Sequence, residues 1–272
     1  MSDARGLGIG LVGDGRLAGS LAAALQRAGY GVLGVAGRES PSLASMFSEA
    51  DIVFLTVQDS HVGEVAASLP WRPGQFAVHC SGALSLGALD AAVRAGAVAG
   101  CLHPLQSFPS RSPEPDRFQG ITCGVEAPEP LASVLEQIAR DLGSSTLRLE
   151  GVDRRLYHAA AVFVSNDVIA LMSAARRAWT LAGLPEGLAR PALAPLLVAA
   201  AANVQSLELG DALTGPVARG DVATVEAHLA ALAAEPSLEA LYRSLAAELL
   251  RVGKPVDPAA RKALDDLLEA SP

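Results

Sequence analysis

Short apolar runs recur along the first 150 positions, each bounded by glycine, proline or polar residues. They predict strands at Gly8–Gly13, Gly31–Ala36, Ile52–Val57, Phe76–His79, Val98–His103, Ile121–Glu126 and Thr146–Leu149. Helical spacing of apolar positions fills the intervals at Ala18–Ala28, Leu43–Ser48, Val62–Leu69, Leu86–Ala95 and Leu131–Leu142. Continuous Val/Ile/Leu strands alternating with helices predict an α/β, doubly wound parallel sheet covered on both faces. The Pro-, Ser- and Arg-rich stretch Ser107–Phe118 breaks the alternation and reads as a long loop, functional or mobile. From Asp153 the strand signals stop. Arg154–Leu181 is predicted as one helix of about 40 Å at 1.5 Å per residue, ended by Gly183 and Pro185. Further helices follow, punctuated by Pro191, Gly210, Gly215 and Gly253, so an all-α C-terminal domain over 151–272 follows a sheet domain over 1–150.

The first strand runs into Gly13-Asp14-Gly15-Arg16-Leu17-Ala18 and then a helix. That order is the layout of a Rossmann-like dinucleotide-binding unit. Gly13 serves the tight turn, Gly15 lets a pyrophosphate approach the backbone, and Ala18 lets helix and strand pack closely. The free N–H groups and positive dipole end of the helix face the phosphates. At the tip of the second strand stand small residues, then Arg38-Glu39-Ser40. An NAD site usually closes this strand with an acidic residue on the ribose hydroxyls, whereas a guanidinium can grip a 2′-phosphate in bidentate fashion. NADP is therefore favoured over NAD. The alternative is a solvated Arg38 with Glu39 on the ribose. The cofactor-binding candidates are Gly13, Gly15, Arg16, Leu17, Ala18, Arg38, Ser40 and Val57.

Half of the 272 residues are hydrophobic and 18% are charged, which argues for a packed globular chain. A formal charge of −8 argues against nucleic acid or an anionic membrane surface as partner. Three separated cysteines in apolar surroundings fit a reducing compartment, and no signal-like run opens the chain, so a cytoplasmic protein is expected. The longest uncharged run, Pro191–Leu207, contains two prolines, Asn203 and Gln205, and reads as a buried helix, with no membrane span. The apolar, alanine-rich C-terminal half predicts a homodimer through the helical domain.

Four stretches resemble a bacterial family that joins a Rossmann-like domain to a helical domain of unknown function. They are His79-Cys80-Ser81-Gly82-Ala83, His103-Pro104-Leu105-Gln106-Ser107-Phe108, Tyr157-His158-Ala159-Ala160-Ala161 through Asn166, and Ala212 through Asp221. The family lies within the 6-phosphogluconate dehydrogenase-like superfamily, with the ketopantoate, pyrroline-5-carboxylate and β-hydroxyacid reductases. The resemblance implies a small-molecule substrate held between the two domains. The His103-Pro104 pair is also similar to the histidine–proline motif of prephenate dehydrogenases, whose histidine is implied to assist proton removal from a substrate hydroxyl.

Strand ends are where open α/β sheets bind ligands, and His79, Ser81, His103 and Gln106 fall there. An imidazole is suited to moving a proton at neutral pH. His103, His158 and His79 are the catalytic candidates, each with a packing role as the alternative. Ser81, Gln106, Asn166, Thr214 and Arg219 are the substrate-binding candidates. Thr214 can also cap the helix after Gly215-Pro216, and Asp221 is a predicted N-cap. His79 and Cys80 point to opposite faces of a strand, which disfavours a shared metal ion with Cys101 and His103, and no metal is expected. The β-hydroxyacid branch implies a lysine four residues before the asparagine; Val162 occupies that position, and the lysines are Lys254 and Lys262. An NADP-dependent oxidoreductase is the expected function, with a non-catalytic dinucleotide sensor or interaction protein as the alternative.

Overall fold

The computed structural model describes residues 4–37 and 40–269. The chain forms two compact units, Met1–Ser165 and Asn166–Pro272. In the first, β1 (Gly8–Val12), α1 (Arg16–Arg27), β2 (Gly31–Ala36), α2 (Leu43–Glu49), β3 (Ile52–Leu55), α3 (Asp59–Ser68) and β4 (Phe76–His79) follow in turn. Then come α4 (Asp90–Arg94), β5 (Val98–Pro104), β6 (Thr122–Glu126), α5 (Leu131–Asp141), β7 (Ser145–Arg148) and α6 (Arg154–Phe163). The strands make one seven-stranded sheet in the order β2-β1-β3-β4-β5-β6-β7.

The period of two in a strand decides which core each side chain joins. Ile52 and Phe54 pack with Leu21, Leu25, Leu131 and Leu135 on one face. Val53 and Leu55 pack with Phe47, Val62 and Leu89 on the other. Both faces are covered, as the unbroken apolar strands require.

One departure from the expected parallel sheet sits at β6, which runs antiparallel to β5, with Leu102 opposite Val125 and His103 opposite Gly124. No α-helix crosses over between these strands; the connection holds only the 3-10 turn Pro115–Phe118. The chain returns through 107–118, which lets the next strand reverse. That segment is tied down: Phe118 is fully buried and packs on Phe108, at 5.3 Å between ring centroids. The Glu114 N–H donates to the Ser20 hydroxyl at 3.0 Å, and Arg27 pairs with Asp116 at 2.7 Å.

The predicted helix over Arg154–Leu181 is broken at Val164–Ser165, giving α6 and then α7 (Asn166–Leu181). The Ser165 N–H bonds back to the Val162 carbonyl and its hydroxyl to that of Ala161, which closes the last turn of α6. His158 and Ser165 therefore do not share one helix face. Because α6 packs with the sheet, the first compact unit extends past residue 151 to Ser165.

The second unit holds α7, α8 (Glu186–Ser206), α9 (Leu209–Ala212), α10 (Pro216–Arg219), α11 (Val222–Leu232), α12 (Pro236–Val252) and α13 (Pro258–Glu269). Val217, Val225, Leu229, Ala246, Leu250 and Leu264 form its small core. The helix expected over Pro191–Leu207 is present but not buried: within α8 only Ala189 is. Its apolar residues run all round the helix with no polar stripe, so packing against α7 leaves most of them exposed. By length and composition alone 154–181 and 186–206 could cross a membrane. The first is interrupted by the turn at Val164–Ser165 and the second contains two prolines.

Candidate active site

The turn after β1 has the geometry that its glycines predict. Gly13 adopts φ +119°, and a Cβ there would stand 2.9 Å from the Thr56 backbone and hydroxyl. Thr56 in turn donates to the Val12 carbonyl at 3.1 Å, which stiffens the turn against β3. Gly15 is the N-cap of α1 and supplies no side-chain cap. The first-turn N–H groups of this twelve-residue helix are thus left for an external anion, and no acidic side chain sits in that turn. The space beside Gly15 is nearly open, with the Thr56 carbonyl 3.8 Å from where a Cβ would be. These residues fit a dinucleotide pyrophosphate. Ala18 is fully buried against the sheet, Arg16 is exposed, Leu17 half-buried, and Val57 lies just beyond β3. Ser40 bonds to Ser42 at 2.8 Å. Arg38 and Glu39 lie outside the described residues. Asp14, which the sequence reading passed over, stands beside the β2 tip, its Oδ2 3.9 Å from a Cβ placed on Gly37.

Further along the sheet, His79 ends β4 and His103 lies near the end of β5. Helix α6 brings Tyr157 and His158 to them. His103 Nδ1 and Tyr157 Oη are 2.9 Å apart, and the His103 and His158 rings meet edge-on at 6.1 Å between centroids. Two glycines make room. A Cβ on Gly82 would lie 2.6 Å from His158 Nδ1 and 2.8 Å from His103 Nε2, and one on Gly124 would lie 2.7 Å from Tyr157 Oη.

A buried guanidinium holds this assembly together. Arg154, 7% exposed, donates to the Gly82 carbonyl at 3.0 Å, to the Ser81 carbonyl at 2.7 Å and to Glu126 at 2.8 Å. Its Nη2 also lies 3.2 Å from Cys101 Sγ. One side chain therefore ties the start of α6 to the loop after β4 and to the ends of β5 and β6. Asp153 caps α6 by accepting from the Arg155 and Leu156 N–H groups.

The electrostatics keep His79 and His103 neutral. Burial, reinforced by the Arg154 charge, lowers His79 to about 4. Burial again, then His158, Arg154 and His79, lowers His103 to about 4. Burial raises Tyr157 to about 12, so its phenol stays protonated. Cys101 and Cys123 are each pushed up to about 11, chiefly by burial.

The other predicted residues divide sharply. Ser81 is committed to the scaffold: its hydroxyl accepts from the Ala83 and Leu84 N–H groups and donates to Asp59 at 2.5 Å, while its N–H donates to His79 Nδ1. His79 is fully buried and its Nε2 has no hydrogen-bond partner among the described residues. Gln106 is exposed and its carbonyl accepts from the next N–H, that of Ser107. Asn166, Thr214 and Arg219 belong to the second unit, where Thr214 and Arg219 are exposed. Thr214 does not cap α10; Gly215, at φ +97°, is the N-cap and no side chain bonds there. Asp221 caps α11 as predicted, accepting from the Thr224 N–H at 3.1 Å. Sequence reasoning singled out neither Arg154 nor Tyr157 as a site residue. A pair of arginines opening an otherwise apolar helix was the available signal for Arg154, and the Tyr157-His158 pair was the signal for the tyrosine.

Residues 121–249 match a domain of unknown function, DUF2520. The match begins at β6 and ends within α12, so it includes Glu126, Arg154, Tyr157 and His158. No curated protein sequence matches the chain. Among solved structures, a candidate NADP oxidoreductase from Bacteroides fragilis is similar over 92% of this chain and 100% of its own, at 25% identity and TM-score 0.72. A reductive aminase from Aspergillus terreus, solved with NADPH and ethyl-5-oxohexanoate, covers 96% and 99% at 15% identity and TM-score 0.63. A 1-pyrroline-5-carboxylate reductase from Streptococcus pyogenes covers 90% and 98% at 15% identity and TM-score 0.60. The Rossmann-like sheet joined to a helical domain of unknown function is thus the architecture that the sequence motifs implied.

Proposed function

We propose that this chain is an NADP-dependent oxidoreductase acting on a small polar substrate, either a carbonyl/alcohol or an imine/amine pair. The observation that carries the reading is one sheet edge holding both an open helix N-terminus after Gly13 and a half-buried His103–Tyr157–His158 group. The likeness to the Bacteroides protein supports the choice of cofactor, as does Arg38 in the sequence beyond β2. When bound, the nicotinamide supplies or takes up hydride. The protein's part is orientation and control of a proton. The α1 N–H groups hold the pyrophosphate, Arg154 fixes the loop carrying Gly82, and His103 faces the reacting heteroatom of the substrate. The exposed apolar faces of α7 and α8 support a homodimer through the helical domain, and the reading places the protein in the cytoplasm.

Cofactor titration tests the first half of this reading. NADPH is expected to bind more tightly than NADH, and Arg38→Ala should cost NADPH about 1.5–3 kcal/mol, roughly ten- to hundredfold in affinity. Equal wild-type affinities would defeat the NADP assignment. For the second half, His103→Asn should leave NADPH affinity intact and lower turnover about 10²- to 10⁴-fold across a panel of carbonyl and imine substrates. Tight NADPH binding with no turnover on any of them would favour a dinucleotide sensor.

A further inference from the structure

Tyr157 and His103 share a hydrogen bond in which either atom could donate, and the direction decides what His103 shows to a ligand. We propose that Tyr157 is a positioning residue that donates its phenol proton to His103 Nδ1, so that His103 presents an N–H, and not a lone pair, at Nε2 beside Gly82. This deepens the reading of His103 as the substrate-facing group and rests on it for its functional meaning.

The argument starts from the inventory of partners. Tyr157 Oη has His103 Nδ1 as its hydrogen-bond partner, 2.9 Å away, and no second acceptor among the described residues. If the imidazole were the donor, the phenol proton would be left unsatisfied in a half-buried place, at a cost of about 1–3 kcal/mol. The imidazole nitrogen is also the stronger acceptor of the two, because the phenol oxygen delocalises its lone pair into the ring.

Charge states agree with this. The groups around the pair are His79 on β4, Cys101 on β5, Cys123 and Glu126 on β6, and Arg154 and His158 on α6. Their balance with burial keeps His103 neutral and Tyr157 protonated at pH 7. A neutral imidazole has one proton, and with Nδ1 accepting, that proton is on Nε2.

The consequence is a role. With Nε2–H facing the ligand, His103 is a hydrogen-bond donor to a carbonyl oxygen or imine nitrogen, polarising it for reduction, and is not a resting general base for an alcohol. Gly82 is what lets Nε2 stand there, since a Cβ would occupy the approach to both His103 Nε2 and His158 Nδ1. The preferred substrate is one whose reacting atom accepts a hydrogen bond.

Nitrogen-15 NMR of the full-length protein, histidine-labelled and without cofactor or substrate, reads the tautomer directly. The chain has five histidines, and the signal missing in His103→Asn identifies His103. At pH 7 the expected result is a protonated Nε2 and an unprotonated Nδ1 displaced from the free-imine position by hydrogen-bond acceptance. In Tyr157→Phe the Nδ1 signal should move back toward the free-imine position. A protonated Nδ1 in the wild type, or unchanged His103 nitrogens in Tyr157→Phe, overturns the proposal. The wild-type spectrum decides by itself if the variant does not fold. Because neither spectrum involves turnover, a wrong tautomer and a wrong oxidoreductase reading are told apart.

Discussion

Along β3, Ile52, Val53, Phe54 and Leu55 are all buried, two to each face of the sheet. Helix α7, in the second unit, buries none of its sixteen residues, and the twenty-one-residue α8 buries Ala189 alone. β3 is apolar throughout, while α7 and α8 are mostly apolar with polar residues interspersed. What separates them is that the sheet supplies partners on both faces within its own unit, whereas Ile169, Leu188, Leu196 and Val198 are each more than half exposed. Contiguous apolar surface of that kind marks an interaction face. The first unit buries β3 on both sides and keeps its polar chemistry beside its own core; the second has a small core and leaves much of the apolar surface of α7 and α8 exposed.

In the first unit the sharpest weakness is the buried cation that closes it. Arg154→Ala removes the partner of Glu126 and takes the guanidinium donor from the Ser81 and Gly82 carbonyls, leaving Ser81 only the weak Cys101 thiol donor. Breaking a buried pair from one side costs about 3–5 kcal/mol. The urea midpoint of the sheet unit should fall accordingly, and the His103–Tyr157 contact should go with it. A loss below about 1 kcal/mol would mean that α6 is held by its apolar contacts.

A second test of the same unit uses pH. His79 is buried and neutral, with its folded value lowered to about 4 against an ordinary 6.5. The unfolded chain therefore binds the extra proton first as pH falls. The stability due to this group is fully present above pH 6.5 and is lost between pH 6.5 and 4, by about 3 kcal/mol at the low end. Urea midpoints taken at pH 7.5, 6 and 4.5 should fall in that order, and His79→Asn should remove about half of the change, because His103, also lowered to about 4, contributes over the same window. A wild-type profile with no slope there would show that water reaches His79 in the folded state.

How much of this could be read beforehand follows from the range of each interaction. The β1–Gly13–α1 unit and the strand positions were legible because their causes are local: apolar runs, glycine at a positive φ, helix spacing. The reversal of β6 was not, since a connection without an α-helical crossover permits either direction. Nor was the break at Val164–Ser165, where two residues of ordinary helix propensity form a turn. His79 and His103 are legible as strand-end residues, but the commitment of the Ser81 hydroxyl to Ala83, Leu84 and Asp59 depends on how the loop folds and is not. Arg154 and Tyr157 act through partners up to 73 positions away in the chain, a relation that spacing does not encode.

The smallest expected effect per side chain falls on the second unit, and it bears most directly on the contrast between the two. Leu196 is 68% exposed on α8. Within a monomer, Leu196→Glu exchanges one solvated side chain for another, so the urea midpoint should move by no more than about 0.5 kcal/mol. If two copies bury α7 and α8 against each other, the same change removes a leucine worth about 1.5–3 kcal/mol of burial from each copy and adds a carboxylate to an apolar interface. The dimer dissociation constant should then rise at least a hundredfold, with two copies of the change in each dimer. Sedimentation of wild type and variant over a range of concentrations measures this. A monomeric wild type at micromolar concentration would refute the dimer, and a wild type that stays in solution only with detergent would point to a membrane as the partner of these helices. A dimer that Leu196→Glu does not weaken would move the interface off this face of α8 and leave the exposed leucines of α7 to be tested next.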